Sequence, residues 1–482
     1  MYCSECGTSN QDGAKFCKEC GHRLAGYQTS SRKTSFTKGT SALLGILIIA
    51  VFAVIVYHFQ VMEKQSTKTD LTSTESPETQ TVELVENATA EITNSQGFDN
   101  LPTPTTFHCQ DSIGCVTYGP DEPIRIASAL VISGPNIDLG KNSQYGIEIA
   151  IDFKGEIFGH SIELQTEDEG CSAGGGQAAG QKIVSNPTIV AVIGTSCSGA
   201  AVTMSEVISE SGYVMISPSN TTPSLTDPDQ AWNPGYLRTV HNDKWQGKAM
   251  ADFAYNNLHV INAAAVHDGD SYTESLARAF ADSFEELGGT IVEFTAVNKG
   301  DTNMRSALSA VAAAGPPEFL YYPVFTAEGG FLTKQAKSFP GLENTFLAAA
   351  DGMISNAAIE AFGEAGEYMY FSSPDFSFSG DLYNRFIAKY EEKYNTKPNY
   401  GFHAYAFDAA NMIFACVEEV ALLEYDGTMH IGRQSLRDCL YNISGFEGIT
   451  GILTCDEYGD CADPNNMAVF QLRNGEYVRI WP

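Results

Sequence analysis

From Ile124 onward, short apolar runs alternate with segments of helical period, and this alternation constrains the fold more than any other feature of the chain. IRIASALVIS (124–133) reads as an apolar strand. Tyr145 to Phe153 is helical in period, with Ile147, Ile149, Ala150 and Ile151 apolar. HSIELQTED (160–168) alternates as a strand does, and Gly174–Val184 reads as a helix. Further strands are expected at 190–194, 213–217, 260–268, 290–297 and 318–325, with helices at 245–258, 271–287 and 304–314. Such alternation implies an α/β architecture, a parallel sheet covered by helices on both faces. About 350 residues exceed what one such sheet carries, so two lobes are expected. A cleft between two lobes is a common place for a ligand.

Two successive strands in this pattern end in hydroxyl-rich turns. Val190–Gly194 runs into Thr195-Ser196-Cys197-Ser198-Gly199. Tyr213–Ser217 runs into Pro218-Ser219-Asn220-Thr221-Thr222-Pro223. In open α/β sheets, ligands sit at the carboxyl ends of parallel strands. These turns are therefore expected to hold a small charged molecule. Ser and Thr also favour helix caps, which is the alternative role for Ser198 and Thr221.

The chain ahead of this region has a different character. Residues 1–24 carry Cys3, Cys6, Cys17 and Cys20 as two C-x2-C knuckles ten residues apart, with Gly after the second cysteine of each pair. Four thiolates at this spacing suit a tetrahedral, coordinatively closed Zn2+, and the segment resembles the small zinc-ribbon modules at the N-termini of prokaryotic membrane proteins. Residues 25–40 are polar and basic. Ser41–Phe59 is uncharged and mostly apolar, long enough to cross a bilayer once. A cleaved signal peptide is the alternative, weakened by the folded-looking module ahead of it and the lack of a clear cleavage site. Lys and Arg precede the span, so the N-terminus is expected in the cytoplasm and the remainder outside, on the cell membrane. Residues 60–104 are rich in Thr, Ser, Glu, Asn and Pro and read as a tether.

The eight later cysteines agree with an oxidising compartment. Cys109 with Cys115, Cys416 with Cys439, and Cys455 with Cys461 are natural pairs by proximity, with Cys171 and Cys197 left over; sequence alone does not fix connectivity. The acidic DEYGD between Cys455 and Cys461 reads as a clipped hairpin turn, because it lacks the spacing of a calcium loop. A net charge of -31 excludes nucleic acid held through its phosphates. No Walker loop, metal triad or Ser/His/Asp set has local support, so no enzyme activity is expected.

VIGTSCSGAAV (192–202), MISPSNTTPSLT (215–226), AVHDGDSYTESLARAF (265–280), FLYYPVFTAEGG (319–330) and YGFHAYAFDAA (400–410) occur in that order. Together they resemble the leucine/isoleucine/valine-binding family of type I periplasmic-binding proteins. The likeness implies two Rossmann-like lobes joined by three crossings, closing on a ligand and serving an ABC permease. It places lobe 1 at about 123–241 and 352–445, and lobe 2 at about 242–351 and 446–482, within a ligand-binding domain of 105–482. It implies that Ser198 and neighbouring amides take a ligand carboxylate, that Thr221 bonds carboxylate or ammonium, and that the Ser219 carbonyl accepts from the ammonium. Asp351 would pair with the ammonium, Tyr272 would contact the ligand from the second lobe, and Phe325 would line the side-chain pocket. Cys171 and Cys197 match a disulfide of such proteins. Asp351 stands where a glutamate is common and Leu139 where an aromatic is, so the expected ligand class is an amino acid, an amide or a small amine.

Overall fold

The expected alternation resolves into two sheets in the computed structural model, which describes residues 107–482. The zinc-ribbon cysteines Cys3, Cys6, Cys17 and Cys20, the basic linker, the apolar span 41–59 and the tether lie outside the described residues. Among the described residues no helix is long and apolar enough to cross a membrane.

The first sheet has six strands, in the order Glu156–Ile157, His160–Asp168, Ile124–Leu130, Ile189–Gly194, Val214–Ser217, Tyr236–Arg238. All neighbours are parallel except the first two. Ile189–Gly194 is buried at every residue, the continuous apolar reading of a strand covered on both faces. Period-two alternation divides its neighbour between two cores. Ile124, Ile126 and Leu130 pack with helices Ile137–Lys154 and Phe402–Val420. Ala127 and Ala129 pack on the other side with Ala173–Val184 and Ser198–Glu210.

The second sheet has seven strands, in the order Glu476–Trp481, Met467–Arg473, Tyr370–Pro374, Phe346–Ala350, Phe319–Tyr321, Asn262–His267, Thr290–Ala296. The five consecutive members from Tyr370–Pro374 to Thr290–Ala296 are parallel. Ala263 and Ala265 face the core under Ser271–Glu286, while Ala264 and Val266 face the opposite core under Arg305–Ala313 and Thr326–Lys337. In each sheet the chain starts at an inner strand, visits one side, then crosses to the other. This leaves a switch-point crevice at the carboxyl ends of the strands.

The lobe boundaries differ from those expected. Tyr370–Pro374 pairs with Phe346–Ala350 and with Met467–Arg473, so 352–374 stays in the second lobe. The short helix Asn356–Phe362 after Asp351 returns the chain to another parallel strand rather than across the cleft. Likewise the hairpin Phe446–Gly448 with Gly451–Leu453 stays in the first lobe, because Ile449, Leu453 and Cys461 are buried in its core. The second and third crossings therefore follow Pro374 and Cys461.

The disulfides are Cys109–Cys115, Cys171–Cys197, Cys416–Cys439 and Cys455–Cys461. The last clips the acidic hairpin, in which Asp456 N donates to Asp460 O at 2.9 Å. Among the described residues no cluster of three His, Cys, Asp or Glu side chains could hold a metal.

Arg238, at the end of its strand, is fully buried. Its Nε pairs with Asp460. Its Nη1 donates to the carbonyls of Asn220 at 3.1 Å and Thr222 at 2.8 Å, and Nη2 to Thr226 Oγ1 at 2.6 Å. Burial alone would push the Asp460 carboxyl up, but the guanidinium holds it below the usual carboxylate range. Removing Arg238 leaves the half-buried Asp460 carboxylate uncompensated and strips two buried carbonyls of their donor. Arg238→Met is expected to cost about 3–5 kcal/mol of unfolding free energy in a denaturant titration. A loss below about 1 kcal/mol would show that the pair does not carry the turn.

Candidate functional site

The first half of the site is built where the Ile189–Gly194 strand ends. Gly194 has φ +148°, and a Cβ there would lie 2.2 Å from the carbonyl oxygen of Ala129, its partner in the sheet. Only glycine lets the chain leave the strand at that point. The turn that follows is braced on every side. Ser196 Oγ accepts from Val131 N at 3.1 Å, Thr195 Oγ1 donates to Cys197 O at 2.8 Å, and Cys197 is tied to Cys171. The second turn is laced to the first. Ser217 Oγ donates to Thr195 O at 3.0 Å and accepts from Asn220 N at 2.8 Å, while Ser219 Oγ donates to Ser196 O at 3.0 Å.

Ser198 opens the helix Ser198–Glu210. Its Oγ accepts from the amides of Thr221 at 3.2 Å and Thr222 at 3.4 Å. A hydroxyl has one proton and two lone pairs, so with both acceptor positions used Ser198 still has its proton to give. The hydroxyl of Thr221 is buried without a well-formed hydrogen bond. First-lobe chemistry is thus a hydroxyl donor at a helix N-terminus, where the helix dipole favours an anion.

The second half comes from three strand ends of the other sheet. Asp270 caps the helix Ser271–Glu286 by accepting from Tyr272 N at 3.0 Å, which sets the Tyr272 ring. Tyr272 Oη donates to Asp351 Oδ1 at 2.7 Å, and the same oxygen accepts from Gln246 Nε2 at 3.0 Å and Gly352 N at 3.1 Å. Asp351 Oδ2 has no hydrogen bond among the described residues. The carboxylate is therefore fixed through one oxygen, with the other left for a partner. Burial and then the Asp351 charge push the Tyr272 hydroxyl well above its ordinary range, so it stays a donor. The Phe325 ring lies 5.3 Å from that of Tyr272.

The structure brings all six sequence-predicted residues, Ser198, Ser219, Thr221, Tyr272, Phe325 and Asp351, around one small cavity between the lobes. Leu139, Ser196, Gly352 and Phe402 complete its wall. At about 20 Å³ it has room for about one water, so the lobes are drawn together here. Phe402 was not singled out in the sequence, although it lies within the YGFHAYAFDAA run.

Below the cavity lies a polar layer that sequence reasoning missed. Asp243 and Gln246, three apart in one helix, share a face; that spacing of an acid and an amide was the available signal. Burial, and then the neighbouring Asp351 charge, push the Asp243 carboxyl well above the carboxylate range. Glu169 lies behind the first turn, accepting from Cys197 N at 3.2 Å, and burial pushes it up to about 8. Burial thus holds both carboxyls toward the neutral form, and of the three acids Asp351 is the one that lines the cavity. The arrangement presents hydroxyl donors and a helix terminus on one wall, and a carboxylate on the other. A small zwitterion is the complementary shape of charge.

Comparison with known proteins agrees in kind. Residues 123–476 match the family model for periplasmic binding proteins, and residues 2–24 match that for the zinc-ribbon domain. The chain is 26% identical over 362 residues to Leu/Ile/Val-binding protein homolog 3 of Brucella melitensis, spanning 74% of this chain and 93% of the relative. It is 27% identical over 346 residues to the leucine-, isoleucine-, valine-, threonine-, and alanine-binding protein of Pseudomonas aeruginosa, spanning 70% and 87%. The crystal structure of a leucine binding protein from Thermotoga maritima aligns with a TM-score of 0.65 at 25% identity, over 74% of this chain and 97% of that one.

Glu169 supplies a pH test. Its folded pKa of about 8 lies above the ordinary 4.5 of a free glutamate, so its stabilising contribution is full below about 4.5 and lost as pH rises through about 8. Glu169→Gln keeps the carbonyl acceptor and removes the titration. The melting temperature of the variant minus that of the parent is expected to rise steadily between pH 5 and pH 8, read by differential scanning calorimetry. A flat difference over that range would mean that Glu169 is ionised in the folded protein.

Proposed function

The chain belongs to the periplasmic binding protein family, and on that premise we propose that it is a substrate-binding protein. In this reading it captures an amino acid or a similar small zwitterion or amine between its closing lobes and passes it to an ABC importer. The observation that carries the reading is the division of labour across the cavity. Ser198 has a free proton at a helix N-terminus on one lobe, and Asp351 is fixed through a single oxygen on the other. A ligand enters as the lobes part, since the closed cavity is too small to hold one. Closing then excludes water and strengthens both charged contacts. The protein binds its ligand and does not transform it.

The apolar span at 41–59 is read as a single membrane helix that holds the binding domain outside the cell and the N-terminus in the cytoplasm. Cys3, Cys6, Cys17 and Cys20 would hold a structural Zn2+ in the module that matches the zinc ribbon. That same match favours a second reading, in which the chain senses the ligand and the ribbon engages a cytoplasmic partner without transport. A permease encoded beside this chain supports the first reading. A partner of the ribbon whose binding responds to ligand supports the second.

A calorimetric screen of the purified chain against amino acids and small amines is expected to give a ligand. Ser198→Ala and Asp351→Asn each remove a hydrogen bond to a charged group and are expected to weaken it roughly tenfold or more. Unchanged affinity in both variants would place the ligand elsewhere. A tag at the N-terminus is expected to react with a membrane-impermeant label only after permeabilisation, and labelling of intact cells would reverse the topology.

A further inference from the structure

The cavity that holds Ser198 and Asp351 has two kinds of wall. Its hydroxyls and its carboxylate are matched to the charged groups of a zwitterion. What remains for a ligand's side chain is apolar: Leu139 and Phe402 from the first lobe, Phe325 and the Tyr272 ring from the second. All four are buried, and together with the polar wall they leave a space of about 20 Å³.

The apolar wall is backed on both lobes. Leu139 stands in the first turn of Ile137–Lys154, and Phe402 opens Phe402–Val420. These two helices are pressed together, since a Cβ on Gly146 would lie 2.2 Å from the carbonyl oxygen of His403. The Phe402 ring is further backed by Phe376, edge to face with centroids 5.6 Å apart. On the other lobe Phe325 precedes the helix Thr326–Lys337. That helix is seated on the turn that carries Asp351, for a Cβ on Gly329 would lie 1.9 Å from Met353 Sδ. Tyr272 is held between the Phe325 ring at 5.3 Å and the Asp351 carboxylate. An interior packed this closely yields little space by rearrangement. Room for a side chain therefore comes from parting the lobes, which draws Leu139 and Phe402 away from Phe325 and Tyr272. The same movement draws Asp351 away from Ser198, and Asp270 away from Gly199, where a Cβ would lie 2.7 Å from the Asp270 carboxylate. Each carbon added to the ligand's side chain thus weakens the contacts that closure makes to its charged groups.

We propose that this cavity selects the smallest α-amino acids, those with a hydrogen or a methyl as side chain, and rejects the branched-chain ones. Leu139, Phe325 and Phe402 set the limit. This selection rests on the cavity being the amino-acid site, as read above, and adds which amino acids it takes. It sets the chain apart from relatives whose names include leucine, isoleucine and valine.

The test titrates the purified full-length chain with glycine, L-alanine, L-valine and L-leucine by isothermal calorimetry. Glycine or alanine is expected to bind saturably, with valine and leucine weaker by roughly tenfold or more. Leu139→Ala, Phe325→Ala and Phe402→Ala each enlarge the apolar wall. In these variants the affinity for leucine relative to alanine is expected to rise roughly tenfold or more. The ratio is read because a variant that merely loosens the fold weakens both ligands together, and Phe402→Leu replaces Phe402→Ala should the latter fail to fold. Ser198→Ala and Asp351→Asn test the premise separately, and are expected to weaken alanine while leaving the ratio as it is. If both weaken the bound amino acid but leucine or valine binds the parent as tightly as alanine, the size selection is overturned and the site stands. If neither affects it, the site and the selection fall together. The selection is also overturned if neither glycine nor alanine saturates, or if the ratio stays unchanged in every folded enlarged variant.

Discussion

The guanidinium of Arg238 is the interaction on which the site geometry depends. A fully buried arginine is costly unless its charge is paired and its donors are used. Here the pairing with Asp460 and the bonds to Asn220 O, Thr222 O and Thr226 Oγ1 account for the charge and the fork of donors together. Asp460 sits in the disulfide-clipped hairpin just before the third crossing. One side chain therefore fixes the turn that carries Ser219 and Thr221 and holds it against the segment that leads to the second lobe. The turn amides can then converge on Ser198 Oγ, because their carbonyls are already occupied on the far side.

Electrostatic economy follows from that packing. Three buried acids, Glu169, Asp243 and Asp351, and the half-buried Asp460 lie in or near the cleft and hinge. Asp460 is matched by Arg238, and burial raises the Glu169 and Asp243 carboxyls toward the neutral form. What remains for a ligand is a donor-rich helix terminus on one wall and a single carboxylate on the other. A charged Glu169 behind Cys197 would oppose an anion at Ser198, so the burial that raises its carboxyl bears on the cavity although Glu169 does not line it. The same holds for Asp243, whose charge would double the demand for a cation at Asp351.

Much of the fold was legible in the sequence because parallel strands buried on both faces write themselves as continuous apolar runs. Ile189–Gly194 and Val214–Ser217, buried at every residue, fall within one residue of the spans expected at 190–194 and 213–217. The lobe boundaries were not legible. Asp351-Gly352 reads as a turn, but nothing in a turn says which lobe the chain continues in, and only pairing with Phe346–Ala350 and Met467–Arg473 assigns Tyr370–Pro374 to the second lobe. The six cavity residues were legible through an ordered likeness, not through chemistry visible at any one of them. Gln246 and Asp243 were missed because their role depends on a partner, Asp351, about a hundred residues away.

Closure and recognition cannot be separated in this cleft, and Asp270 is the reason. It caps the helix that carries Tyr272 and pairs with Lys299 at 2.6 Å. Its Oδ2 would lie 2.7 Å from a Cβ placed on Gly199, the residue after Ser198 in the first-lobe helix. With any side chain at 199 the Asp270 carboxylate would have to shift for the lobes to approach that closely. The contact that marks the closed state thus rests on the neighbour of Ser198, and it is made by the residue that sets the tyrosine opposite. Any movement that withdraws Asp270 from Gly199 also carries Tyr272, and with it the hydrogen bond to Asp351, away from the first-lobe donors. The two halves of the site are competent together or not at all, as a closing binding cleft requires.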